Sequence, residues 1–163
     1  MTVRIVTDSL SDLTSDLIGK LDITVVPLTV LFGHEKFLDR VTISTDEFYH
    51  KLIYGDIWPA SAQPTPQEFA DTYDEQAENT DEILVINHSS KLSGTYQSAK
   101  KGKDYMKANK CRVEVIDSQT VAMGLGLVVI LLFILIRLNT LPKGGASAKP
   151  KDSLVQSFQS SLF

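Results

Sequence analysis

A single cysteine, Cys111, stands among 163 residues. That excludes an internal disulfide and any cysteine-built zinc cluster, and makes a reducing compartment the simplest home. Positive charge is also in deficit: 16 Lys and Arg face 20 Asp and Glu, for a formal net charge of −4. A mildly acidic surface argues against partners held by phosphate neutralisation, so DNA and RNA are set aside. The opening MTVRIVTDS lacks the basic, apolar, small-residue order of a secretory signal, and cytoplasmic synthesis is expected. There is no Gly-x-x-x-x-Gly-Lys-Ser/Thr loop and no Gly-x-Ser-x-Gly elbow, which removes support for a nucleotide-driven kinase and leaves a serine hydrolase, suggested only by His88 beside Ser89 and Ser93, as a remote alternative. Asp8 and Asp117 bring no third and fourth ligand, so they read as helix caps rather than a metal site, and no cofactor is implied.

What is present is an alternation of short apolar runs and capped helices. Residues 3–7 form a β-rich run ending at Asp8-Ser9, and Thr14 can cap a helix that runs through Ile18 and that Gly19 helps to end. A longer apolar stretch over 23–32, interrupted by Pro27, could turn back through Gly33 into 36–38 as a ribbon that leaves the main sheet. Ser44-Thr45-Asp46-Glu47 and Thr65-Pro66-Gln67-Glu68 have the capping-box form and predict helices to about Ile53 and about Asn79. EILVIN over 82–87 predicts a buried strand, Ser93 or Gly94 opens a helix to about Met106, and 112–116 predicts a further strand. Such alternation implies an α/β fold, a mostly parallel sheet with helices on its faces.

Three of these strands hand over to a helix through polar loops: Thr7-Asp8-Ser9, the run from Ser89 and Ser90 through Gly94 and Thr95, and Asp117-Ser118. In an open α/β sheet such loops gather at the carboxyl ends of the strands, where ligands bind, and free N–H groups at helix starts favour an anion. Hydroxyls without an obligatory Lys or Arg suggest a carboxylate or phosphate held by hydrogen bonds. Ordinary capping explains any one of these loops equally well.

The motifs themselves resemble the DegV family of bacterial fatty-acid-binding proteins. The likeness runs from residue 3 to about 129, through IVTDS at 5–9, ITVVPL at 23–28, Ile43-Ser44 with Glu47-Phe48-Tyr49, and Ser61 with Gln63-Pro64-Thr65-Pro66. It continues through Ser89-Ser90, LSGTYQSA at 92–99, Val115-Ile116-Asp117-Ser118, and MGLGL at 123–127. The resemblance implies a two-domain α/β protein that holds a long-chain fatty acid such as palmitate and presents it to a separate fatty-acid kinase. It further implies that Ser61 and Ser93 bind the carboxylate, with Gly94 leaving the helix start open. Such a protein is a carrier and not an enzyme.

Departures from the family pattern are Arg40 and Lys91 in place of glycine, Ala60 and Ala62 in place of hydroxyl residues, and His88 in place of an apolar residue, for which a satisfied structural role is expected. Lys91 is expected to strain or reshape the Ser93 loop. The family's second domain is not recognisable, so 1–129 reads as a DegV-like N-terminal lipid-binding domain and lipid binding is expected to be impaired. Residues 130–163 read as an aberrant apolar segment with a disordered polar tail, attributed to a frame shift near Ile130. The competing reading is a transmembrane anchor over 121–136, which would make the chain a membrane-associated lipid module.

Overall fold

The structure, a computed structural model, describes residues 3–138. Four parallel strands form the main sheet in the order β2-β1-β6-β7: β1 (Arg4–Asp8), β2 (Ile23–Val26), β6 (Glu82–Asn87) and β7 (Arg112–Asp117). A separate antiparallel sheet holds β3 (Thr29–Phe32) between β4 (Glu35–Leu38) and β5 (Ala60–Ala62). The helices are α1 (Ser15–Leu21), α2 (Thr45–Tyr54), α3 (Pro66–Ala77), α4 (Thr95–Tyr105) and α5 (Met123–Arg137). The fold is α/β, with a parallel sheet flanked by helices, as the alternation implies.

Period-two alternation assigns the strand residues to two faces. Val6, Val26, Ile83, Val85, Val113 and Val115 pack with Phe69 and Tyr73 of α3 and Ala99 of α4. Ile5, Ile23 and Ile86 point the other way, onto Leu13 and onto Leu125, Val129 and Leu132 of α5. Burial pushes the Tyr73 phenol far up from its ordinary value, and its hydroxyl donates to Ala99 O at 2.9 Å. That bond keeps the one polar atom of the side chain satisfied inside the core.

Local chemistry places the helix starts. Ser44 and Thr65 each accept from the N–H three residues on, while Glu47 and Glu68 accept from the cap N–H in return. Hydrogen bonds from the Ser44 backbone and side chain hold the Glu47 carboxyl below its usual range. The expected end of α1 shifts: Gly19 lies inside it, and Asp22 at φ 54 closes it by donating its N–H to Gly19 and Ile18 carbonyls. The apolar stretch over 23–32 divides between the two sheets. Pro27 has no N–H to extend β2, and the Leu28 N–H turns aside to donate to Ser9 Oγ at 3.1 Å.

The transmembrane expectation over 121–136 is corrected. No helix among the described residues is long and apolar enough to cross a membrane. α5 has 15 residues, about 22 Å at 1.5 Å per residue, against a hydrocarbon core of about 30 Å. One face is already occupied, since Leu125 and Val129 are wholly buried and Leu132 nearly so, in the same core as the strands. The helix crosses position 130 without a break, so packing extends past the boundary expected at 129. The polar tail expected to be disordered lies outside the described residues. Gly126 permits this docking: a Cβ there would stand 2.4 Å from the Ser11 carbonyl oxygen, an impossible approach to backbone.

Three substitutions test the docking by urea denaturation. Leu132→Ala is expected to cost about 2–5 kcal/mol, while Leu131→Ala on the exposed face stays within about 0.5 kcal/mol. Gly126→Ala is expected to destabilise by about 1–3 kcal/mol despite alanine's better helix propensity.

Candidate functional site

β1, β6 and β7 are neighbours in the sheet, so the loops that follow them meet at one edge. Their meeting point is the carboxylate of Asp8, which is wholly buried. Its Oδ1 accepts from the Leu10 N–H at 3.1 Å, starting a short 3-10 turn. Its Oδ2 accepts from Asn87 Nδ2 at 3.0 Å and from the His88 N–H at 2.9 Å, across to the end of β6. Asp117 ties β6 to β7 in the same manner, its Oδ1 accepting from the N–H groups of Ser90 at 3.1 Å and Gln119 at 3.0 Å. Both aspartates therefore cap and bridge. Among the described residues no group of three or more His, Cys, Asp or Glu could hold a metal ion.

The hydroxyls of the loops divide into internal ties and outward groups. Thr7, Ser9, Ser89 and Thr95 are buried. Thr7 Oγ1 donates to the Ile86 carbonyl at 2.8 Å, Ser9 Oγ accepts from Leu28, and Ser89 Oγ accepts from the Lys91 N–H at 3.3 Å. Ser90 and Ser61 are exposed, and Ser93 and Gly94 are half-buried. Ser93 Oγ accepts from the Thr95 N–H at 3.2 Å and lies 2.9 Å from Thr95 Oγ1, so a hydroxyl pair crowns the start of α4. Ser61 sits on β5 opposite Val30.

The segments of Ser61 and Ser93 approach each other through a residue the sequence reading passed over. The Gln63 amide lies over Gly94, so that a Cβ at Gly94 would be 2.3 Å from Gln63 Oε1. Gln63 Nε2 then donates to Ser98 Oγ at 3.1 Å, one turn further along α4. Gly94 is thus covered by an amide rather than left open. The signal available in the sequence is the unbroken Gln63-Pro64-Thr65-Pro66 run.

The glycine departures resolve in opposite ways. Arg40 stands at φ 60, a left-handed conformation that favours glycine, and its guanidinium compensates by donating to Leu13 O at 3.2 Å and pairing with Asp12. Lys91 is not among the residues with positive φ, so the expected strain there is absent. His88 is buried, with Nδ1 3.0 Å from Asp8 Oδ2 but without the alignment of a hydrogen bond, and Nε2 has no partner among the described residues. A hydrolase would need a serine hydroxyl on that nitrogen, and none is paired with it.

A cavity of about 340 Å³ opens at the opposite end of the sheet, beside Asp81, Lys110 and Cys111. Burial first, then the charges of Asp81 and Glu82, raise the Cys111 thiol above its ordinary range. Such a thiol is a poor nucleophile.

Removing the Asp8 carboxylate leaves two buried donors and one half-buried donor without an acceptor, so Asp8→Ala is expected to cost about 3 kcal/mol in urea denaturation. Asp117→Ala, which orphans two N–H groups nearer the solvent, is expected to cost about 1 kcal/mol.

Comparison with known proteins gives the arrangement a setting. The family described as "Uncharacterised protein, DegV family" matches residues 2–144. A DegV domain-containing protein of Clostridium perfringens is 38% identical over 128 residues, covering 78% of this chain and 45% of that protein. A solved structure described as fatty acid binding of a DegV family protein from Thermus thermophilus is 32% identical, with TM-score 0.77, over 98% of this chain and 53% of that one. A stearic acid-binding protein from Eubacterium ventriosum is 27% identical, with TM-score 0.79, over 84% of this chain and 48% of that one. The chain spans about half the length of the relatives it matches. A match that takes in every strand, and passes position 130 with the packed helix, leads to one conclusion: the chain belongs to the DegV family.

Proposed function

We propose that this chain carries the head-group half of a long-chain fatty-acid site, with Ser61 and Ser93 donating to the carboxylate and the start of α4 supplying backbone donors. In this reading it is a carrier that presents palmitate-like lipids to a separate kinase. The observation that carries it is the junction where the Gln63 amide joins the Ser61 strand to the Ser93 loop. A hydroxyl can donate to a carboxylate oxygen while accepting from a backbone N–H, and Ser93 already accepts from Thr95. Further support comes from the Thermus and Eubacterium proteins, whose descriptions name fatty-acid and stearic-acid binding.

Affinity is set by how much of the acyl chain is covered. Each buried methylene contributes about 0.8 kcal/mol, so a fully enclosed palmitate chain would gain about 11 kcal/mol and a half-covered one about 5–6 kcal/mol. Association costs about 4–15 kcal/mol, which removes most of the smaller gain. Weak binding follows.

Isothermal titration with palmitate is expected to give a dissociation constant well above micromolar, and a submicromolar value would overturn the half-site. Decanoate, which is more soluble, is expected to shift the amide resonances of Ser61 and of Ser93 to Thr95, whereas decanol leaves them unmoved. Ser61→Ala and Ser93→Ala are each expected to weaken decanoate up to about tenfold.

A further inference from the structure

The two halves of the proposed cradle belong to different hydrogen-bonded sheets. Ser61 lies on β5, which pairs with β3 in the small sheet, while Ser93 follows β6 of the main sheet. Their separation is therefore not fixed by strand register. Among the described residues, two other side-chain ties join the segments flanking the two sheets, at a distance from the cradle along the chain: Ser9 to Leu28, and Arg40 to Asp12 and Leu13.

Gln63 is different, standing two residues after Ser61 and reaching the residue directly after Ser93. We propose that Gln63 is the positioning residue that sets Ser61 against Ser93; this rests on the fatty-acid reading above and adds to it. Its amide lies flat on Gly94 with Oε1, Cδ and Nε2 all inside 3.0 Å of where a Cβ would stand. No residue but glycine leaves that seat vacant. Nε2 donates to Ser98 Oγ, Ser98 is buried, and its N–H in turn donates to the Gly94 carbonyl at 2.9 Å. The amide thus spans one turn of α4, from its cap to the buried hydroxyl of Ser98. Beyond Gln63 the chain stays against α4, since a Cβ at Gly102 would meet Phe69 Cβ at 2.8 Å and the Pro66 carbonyl at 3.1 Å. α3 and α4 hold the far side of the segment rigidly, so Gln63 transmits their position to β5.

Gly94 also supplies a clean perturbation. Its φ of −79 suits alanine, and the atoms in the way are the end of a flexible side chain, so Gly94→Ala expels the amide rather than breaking the helix. The test compares the 163-residue chain with Q63A, G94A and the double variant by amide hydrogen exchange without ligand, decanoate titration and thermal melting. Q63A and G94A are each expected to speed exchange over residues 60–62 and to weaken decanoate about tenfold, with melting temperatures within a few degrees of the parent. The double variant is expected to be no weaker than either single one, because both remove the same contact. Unchanged exchange in Q63A overturns the clamp whatever the ligand does. Faster exchange with unchanged decanoate affinity overturns its role in positioning the cradle. If the parent itself gives no decanoate shift at Ser61 and Ser93, the fatty-acid reading has failed, and the positioning claim falls with it before any substitution is made.

Discussion

A carboxylate with no access to water must find its full set of donors, and in this protein that requirement organises the edge of the sheet where the parallel strands end. Asp8 draws in the N–H of its own turn, the side-chain amide of Asn87 and the N–H of His88. The last two stand at the end of β6, 79 and 80 residues away in sequence, so satisfying one charge closes the ends of β1 and β6 together. Asp117 extends the same logic to β7 at lower cost, because it stands nearer the solvent. The Ser89 to Thr95 loop is suspended between these two anchors.

From that edge outward the architecture divides labour between two sheets. The parallel sheet is buried on both faces and supplies rigidity. The antiparallel sheet has a small core of its own around Val30, Phe32 and Ile43, with Phe37 and Phe48 packed on it. The proposed cradle, assembled from both, would gain side chains that neither sheet could present alone. It also depends on whatever holds them in alignment, and this is where a surface amide such as Gln63 acquires weight.

Local chemistry was legible in the sequence and distant partnership was not. Ser44 and Thr65 announced their helices because a capping box involves residues three apart. EILVIN announced β6 because a buried strand needs a continuous apolar run. By contrast, Ala60-Ser61-Ala62 has no pattern of its own and is a strand only because β3 offers an open edge. α5 misled for a related reason. Its residues are apolar all round, so the inward stripe of Leu125, Val129 and Leu132 cannot be told from the outward one of Leu127, Leu131 and Ile134 until the sheet is in place. In the site, the strand-end hydroxyls and both aspartates could be read from strand-to-helix handovers. Asn87 and Gln63 could not, since their partners lie 79 and 35 residues off.

Ala122, the cap of α5, has φ 57 and ψ −141, a conformation otherwise almost reserved for glycine. Holding it there costs on the order of 1–3 kcal/mol. That cost is recovered only while Leu125, Val129 and Leu132 stay seated. Helix docking and the bend after β7 are consequently a single thermodynamic unit: whatever loosens the helix relaxes the bend, and the backbone there acts as a spring compressed by the core.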